Sequence, residues 1–330
     1  MGTVRSCVMF VLEVLSGYNS HLVSIRVELR TLFFTKNIAS LGLTLALALL
    51  FSHNVFAADL PAQEIVPGGI AILPIATATD KQPQAEYNGK PVMVIKNQNQ
   101  WYAVVGIALV ATPGQQNIKV TLADGSSRTL EFTVQEKAYE TQHLTIADQR
   151  KVEPNEEDMK RINQEKVETD KALAHWNDTL LTQSLYLDLP VEGKLSSSFG
   201  LRRFFNEQPR APHSGLDITA PAGTPIKAPA AGRVILIGDF FFNGNGLFID
   251  HGQGLVTMYC HMSRIDVKEG QEVKRGQIIG AVGMTGRATG PHLHWGVSLN
   301  DARVNPSLFV PALMNNAVTS GSDNKPIQKP

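Results

Sequence analysis

Short runs of alternating apolar and polar residues, separated by turn-forming residues, dominate this 330-residue chain. The clearest pair lies at 118–122 and 129–134, on either side of Asp124-Gly125. Alternation on both sides of an Asp-Gly pair is typical of a β-hairpin, because Asp-Gly suits the tight turns that match the twist of the strands. The pattern predicts an all-β protein.

The first strand-rich region, residues 58–146, is predicted to form a small N-terminal β-sandwich. Its runs at 92–96 and 101–107 are rich in β-branched and aromatic residues, and the polar residues 97–100 separate them. An immunoglobulin-like arrangement is one option, although the Cys…Trp…Cys signature of that fold is absent. No cluster of catalytic residue types occurs in this region of the sequence.

Residues 147–186 are predicted to form a helical linker, followed by a glycine-rich β domain at 187–312. Asn155 can cap a helix whose first turn, residues 156–158, is acidic, as the helix dipole favours. The apolar stripe of this helix is thin, so we expect a mostly exposed helix that joins two domains. A helix that binds a partner is the alternative.

Both ends of the chain are expected to lie outside the folded domains. Residues 38–50 form an uncharged apolar run between Lys36 and Ala57-Ala58, which is typical of a secretory signal peptide cleaved after Ala57. The run is short for a membrane span of about 20 residues, although an uncleaved anchor is the alternative. The residues before this run are too many for the basic region that begins a signal peptide. We therefore expect that the start site of the 330-residue sequence is placed too far upstream, so that 1–57 contains an extension as well as the signal peptide. The polar tail at 313–330 is expected to be disordered.

Charge and cysteine content exclude some classes of function. Thirty basic and thirty acidic residues balance, which gives no electrostatic reason to expect nucleic acid or an anionic membrane as partner. A membrane contact is expected only if the signal segment stays uncleaved, and nothing in the sequence indicates an oligomeric state. Cys7 lies within residues 1–57, outside the expected mature chain, so no internal disulfide is expected. Cys260 is expected to be a small buried strand residue rather than a nucleophile.

Five of the nine histidines lie between positions 213 and 294. His292-Leu293-His294 is predicted to begin a strand, so both imidazoles project from one face and Leu293 from the other. His213 and Asp217 supply a nitrogen and an oxygen from an extended or turning segment, with a simple turn as the alternative. If one histidine of His292 and His294 binds a metal and the other stands beside it, that histidine, His213 and Asp217 make up the three protein ligands of a catalytic zinc site, which keeps its fourth position for water.

Two further histidines lie near predicted strands. His261 is predicted on the same strand face as Thr257 and Tyr259, where an ordinary polar surface residue is the alternative to a functional one. His251 is predicted to be a turn residue at the end of a strand rather than a ligand.

The region 198–294 resembles the M23 peptidases, the lysostaphin and LytM-like family. The resemblance does not extend to the N-terminal half. It rests on short motifs that follow one another in family order: Ser198-Phe199-Gly200-Leu201-Arg202, His213-xxx-Asp217, Ala228-Pro229-Ala230-Ala231-Gly232-Arg233-Val234, Ile249-Asp250-His251-Gly252, Tyr259-Cys260-His261-Met262-Ser263, Gly283-Met284-Thr285-Gly286 and Gly290-Pro291-His292-Leu293-His294.

The resemblance implies a largely antiparallel β fold with its site in a groove. It implies that His213, Asp217 and His294 bind Zn²⁺ and that His261 and His292 are the catalytic pair. The implied activity is zinc-dependent cleavage of the peptide cross-links of bacterial peptidoglycan by a metal-activated water, in the periplasm or outside the cell, with the stem peptides as substrate.

Two questions stay open after the resemblance. A non-catalytic LytM-like module that activates another cell-wall hydrolase is the alternative function, but all five positions carry the required residue types, which favours an enzyme. The bond cleaved is also open between D,D-endopeptidase, carboxypeptidase and bridge-cleaving activity.

Overall fold

The computed structural model describes residues 60–78, 81–182 and 184–314. The predicted signal segment, its cleavage after Ala57 and nearly all of the predicted disordered tail lie outside these residues. Within the described ranges, no helix combines the length and the hydropathy that crossing a membrane requires.

Two small antiparallel sheets form the first part of the described chain. One has the strand order β1-β5-β4 and the other β3-β2-β6-β7. The predicted hairpin is β6–β7, with Ile118 opposite Leu130. The inner faces of the two sheets share a buried core that includes Ile75, Val105 and Phe132, as a small β-sandwich requires. The strands are β1 (Ile70–Thr77), β2 (Gln84–Tyr87), β3 (Lys90–Pro91), β4 (Met93–Asn97), β5 (Gln100–Gly106), β6 (Gly114–Thr121) and β7 (Ser127–Val134).

The connection to the second part contains β8 (Thr141–Leu144), a 3₁₀ turn at Gln149–Lys151 and one α-helix, α1 (Glu156–Leu173). The predicted cap is confirmed, because the Asn155 side chain accepts a hydrogen bond from the Asp158 amide at 2.8 Å. Most of α1 is exposed, as predicted. Its last turn is buried, and Leu173 packs with Phe248 and Cys260 of the second part.

The second part is built on one large antiparallel sheet with the order β17-β14-β15-β16-β19-β12-β9, which β13, β18 and β20 extend. A separate small sheet pairs β10 with β11 and, in parallel, with β8. The strands are β9 (Lys194–Ser197), β10 (Arg202–Phe205), β11 (Gln208–Pro209), β12 (Leu216–Thr219), β13 (Pro225–Lys227), β14 (Gly232–Phe240), β15 (Gly244–Gly252), β16 (Leu255–Ile265), β17 (Glu272–Val273), β18 (Ile278–Val282), β19 (His292–Leu299) and β20 (Ala302–Val304), with a 3₁₀ turn at Pro306–Phe309.

The largest hydrophobic core joins the two parts. Ile70 and Val104, on the outer face of the β1-β5-β4 sheet, belong to the same buried cluster as Leu293 and Trp295 of β19. The Asn300 side chain adds a buried pair of hydrogen bonds to the backbone of Gly106, at 2.6 and 3.0 Å. The fold class is all-β, as predicted.

Candidate metal centre

Two adjacent strands and the loop before one of them bring the predicted ligands to one face of the large sheet. Asp217 of β12 lies opposite His294 of β19, and Cys260 of β16 lies opposite His294 on the other side. Because directly paired residues of antiparallel strands share a face, Asp217 and His294 project together. Leu293 points into the core, as the predicted alternation requires. His213 reaches the same point from the loop before β12.

The three side chains converge closely. The Nε2 atom of His213 lies 2.9 Å from Oδ1 of Asp217 and 3.0 Å from Nδ1 of His294, and that Nδ1 lies 2.8 Å from the same oxygen. Only 2%, 7% and 9% of His213, Asp217 and His294 is exposed. Among the described residues, these three form a group whose ligand atoms could hold a metal ion.

The hydrogen bonds around the group show why a cation fits it. Nδ1 of His213 donates to the Ser198 carbonyl at 2.7 Å, so Nε2 of the neutral ring carries a lone pair. That lone pair faces an oxygen of Asp217, which is itself an acceptor. Two acceptors at 2.9 Å repel each other unless a proton or a cation lies between them. Two imidazole nitrogens and one carboxylate oxygen suit zinc in particular.

The protonation states also suit a metal. Burial tends to raise the pKa of Asp217, but its contacts with His213 and His294 outweigh burial and hold that pKa well below its usual range. Burial lowers the pKa of His294 to about 4, an effect that Asp217 only partly offsets. At neutral pH the carboxylate is therefore ionised and this imidazole is neutral, which are the forms that bind metals.

His261 and His292 lie together beside the three converging side chains. Their ring centroids are 4.7 Å apart, and Nε2 of His292 is 4.0 Å from Oδ1 of Asp217. Nδ1 of His261 contacts the Thr285 carbonyl and Nδ1 of His292 the Gly290 carbonyl, both at 2.8 Å. Each contact fixes the hydrogen on Nδ1 and leaves Nε2 as a proton acceptor. Burial, followed by the neighbouring histidines, lowers the pKa of His261 to about 3.

The predicted strand face of His261 is wrong. Thr257 and Tyr259 hydrogen-bond to each other at 2.9 Å, and Tyr259 packs in the main core behind the sheet. The pairing of β15 with β16 then shifts register, and His261 adopts a φ of 62°. This bulge breaks the alternation and turns His261 toward His292 on the opposite face.

Comparisons with known proteins follow the same division of the chain. The family model described as Peptidase family M23 matches residues 211–306, and the one described as Peptidase family M23 N-terminal domain matches residues 63–137. A solved structure from Pseudomonas aeruginosa, assigned to peptidase M23, is 47% identical with a TM-score of 0.64, and the match covers 76% of this chain and 96% of that chain. This chain belongs to peptidase family M23.

Two curated relatives match over shorter stretches of the chain. The peptidoglycan DD-endopeptidase ShyA of Vibrio cholerae is 42% identical over 126 residues, which are 37% of this chain and 29% of the relative. The DD-carboxypeptidase/endopeptidase Mpg of Neisseria meningitidis is 42% identical over 116 residues, 35% of this chain and 27% of the relative. The chain thus spans less than a third of the length of either curated relative.

His251 of this M23 protein is not the turn residue that was predicted. It lies in β15 with no exposed surface, where Nδ1 contacts the Ala231 carbonyl at 2.7 Å and Nε2 the Thr257 hydroxyl at 2.8 Å. Burial lowers the pKa of His251 to about 4. His251 therefore supports the sheet from behind and takes no part in the metal group.

Sequence reasoning missed the arginines of the M23 site. The converging side chains open into a pocket of about 280 Å³, which Arg203, Arg287 and Arg303 also line. Arg203 of β10 donates to Oδ2 of Asp217 at 2.7 Å. The sequence offers no signal that separates Arg203 from its neighbour Arg202, because only the pairing of β10 with β8 and β11 decides which of them faces the site.

Proposed function

We propose that the protein is a zinc-dependent endopeptidase that cleaves the peptide cross-links of bacterial peptidoglycan, in the periplasm or outside the cell. Residues 187–312 form its catalytic domain in this proposal. His213, Asp217 and His294 bind the zinc, and His261 and His292 transfer protons. The observation that carries the proposal is the buried convergence of one carboxylate and two imidazoles beside a second pair of imidazoles.

Zinc bound to the three ligands would lower the pKa of the attacking water and polarise the scissile carbonyl. Tetrahedral zinc with bonds of about 2.0–2.2 Å separates its ligand atoms by roughly 3.3–3.6 Å. The observed separations of 2.8–3.0 Å are slightly shorter, so the three side chains need only move apart by less than an ångström.

Arg203 holds Asp217 in the orientation that zinc needs. Its Nη2 atom bonds to Oδ2 of Asp217, which leaves Oδ1 for the metal. The same guanidinium contacts the Ser197 hydroxyl at 3.0 Å and the Gln142 side chain at 3.1 Å, so it is itself fixed. Such partners behind the ligands orient them and strengthen metal binding.

The two remaining histidines supply the proton transfers. With both Nδ1 hydrogens bonded to backbone carbonyls, each Nε2 can accept a proton from the attacking water. The ring that takes the proton becomes an imidazolium, which can donate a hydrogen bond to the developing oxyanion and then transfer its proton to the leaving amine. In this proposal either ring can take the first proton.

The proposal is tested by digesting purified cross-linked peptidoglycan with the full chain and identifying the released muropeptides by chromatography. Conversion of cross-linked dimers to monomers, with about one zinc per chain by metal analysis, supports the proposal. Release of terminal residues without loss of dimers would instead indicate a carboxypeptidase. Intact peptidoglycan with a zinc-free protein would refute it in favour of the non-catalytic activator.

A further inference from the structure

Three arginines line the proposed active-site pocket, but only one of them has a carboxylate partner. Arg203 is bound to Asp217. Among the described residues, no Asp or Glu oxygen lies within ion-pair distance of Arg287 or Arg303. A partly buried cation without a counter-ion is costly, so an anion that enters the pocket is favoured.

Arg287 is held in a fixed position in this pocket. Its guanidinium lies over the rings of Phe205 and Phe242, with 4.6 and 4.2 Å to the two centroids. One of its five N–H donors contacts the Lys151 carbonyl at 3.3 Å. The other donors have no acceptor among the described residues, although a planar guanidinium is well shaped to bind a carboxylate through two of them.

The loop that carries Arg287 also holds His261. The Thr285 carbonyl accepts from the His261 ring, and two residues later the Arg287 amide bonds to the Phe242 carbonyl at 2.8 Å. Between them, Gly286 has a φ of 71°, and a Cβ there would lie 2.3 Å from the Gly244 nitrogen. The loop is therefore tightly packed, and the guanidinium keeps a fixed relation to the proposed catalytic histidines.

The charge of Arg287 persists at neutral pH. Burial, followed by the neighbouring Arg203 and Arg210, lowers its pKa to about 10. The side chain is therefore a cation in a region that already contains other cations. Arg303 differs, because the one hydrogen bond of its guanidinium among the described residues goes to the Met258 sulfur, at 3.8 Å.

We propose that Arg287 binds a free carboxylate of the substrate close to the cleaved bond, and that the pocket thereby selects peptides in which this group is not amidated. The inference rests on the proposed peptidase function and adds a specificity determinant to it. A purely structural role, in which Arg287 only packs between Phe205 and Phe242, makes a different prediction: cleavage would not depend on the charge of the substrate.

The test measures kcat/KM on cross-linked peptides in which each carboxylate near the cleaved bond is converted to its primary amide, one at a time. For the wild type, one of these amides should be cleaved roughly 10- to 100-fold less well than the parent peptide. In Arg287→Gln, kcat/KM on the parent peptide should fall to the value that the wild type has on that amide. The kcat/KM of the variant on the amide itself should change by less than about threefold. The coupling between the two changes isolates the contact.

Matched variants exclude general effects. Arg233→Gln removes an exposed arginine that pairs with Glu272, and it should preserve the wild-type preference. Arg287→Lys keeps the charge without the planar fork, and it should give an intermediate preference. Zinc content and melting temperature are measured for each variant, and the amide substrates test the wild type without any change to its fold.

Three results would overturn the inference while leaving the proposed function intact. The wild type could cleave the parent and all amides equally, Arg287→Gln could weaken both kinds of peptide by the same factor, or Arg303→Gln alone could abolish the preference. If the wild type cleaves none of the peptides, the proposed function is refuted and the inference falls with it.

Discussion

Replacing Arg203 by glutamine should weaken zinc binding without removing a ligand. Nη2 of Arg203 bonds to Oδ2 of Asp217 at 2.7 Å, and only 7% of that aspartate is exposed. The substitution leaves a buried, ionised oxygen without its charged partner, and water cannot fully replace it at so buried a position. Asp217 also becomes freer to turn away from the position in which Oδ1 faces the two imidazoles.

The size of the effect follows from the strength of this bond. A hydrogen bond to a charged group contributes about 1.5–3 kcal/mol, and every 1.4 kcal/mol is about a factor of ten in affinity. The zinc dissociation constant should therefore rise by about 10- to 100-fold, which is the range typical for partners behind metal ligands. Zinc-saturated activity should fall less than affinity.

Competition with a chromogenic chelator measures the zinc affinity of each variant. The matched control is Arg202→Gln, because Arg202 precedes Arg203 on β10 but is exposed. The control should bind zinc as the wild type does. Unchanged zinc affinity in Arg203→Gln, or an equal loss in both variants, would refute the reasoning.

Three further substitutions test separate parts of the structure. His294→Ala deletes one of the three proposed ligands and should abolish both zinc binding and hydrolysis, by metal analysis and peptidoglycan digestion; retained stoichiometric zinc would contradict it. His292→Ala should keep most of the zinc while turnover falls by roughly 100-fold or more; wild-type turnover would remove His292 from the mechanism. The pKa of His251 is about 6.5 in the unfolded chain and about 4 in the folded one. The neutral ring therefore contributes up to about 3 kcal/mol to the free energy of unfolding above pH 6.5, and this contribution is lost as the pH falls to 4. In urea unfolding between pH 7 and 4, the free energy of unfolding should fall less in His251→Gln than in the wild type. Parallel pH dependences of the two proteins would disprove this assignment.

Local patterns in the sequence were sufficient to predict several elements. The Asp124-Gly125 hairpin, the Asn155 cap and the common face of His292 and His294 each depend only on neighbouring residues, and the structure has all three. The burial of Cys260 in a strand also follows from its apolar surroundings.

Features that depend on distant parts of the chain could not be predicted in this way. The face of His261 follows from a bulge in the pairing of β15 with β16, and no residue type at the bulge indicates it in the sequence. The role of Arg203 depends on β10 lying between β8 and β11. The position of Arg287 depends on two phenyl rings that lie about 80 and 45 residues away along the chain, Phe205 and Phe242.

The core that the two parts share limits which substitutions this chain can accept. Ile70 and Val104 belong to the part matched by the N-terminal family model, yet they pack in the same cluster as Trp295, directly behind the strand that carries His294. A fragment cut from the chain at the start of the second part would leave that apolar face bare, which favours aggregation. Substitutions at Ile70 or Val104 should therefore disturb the packing behind the proposed metal ligands, and an unrelated domain in place of the N-terminal part would have to supply a new apolar surface for this face.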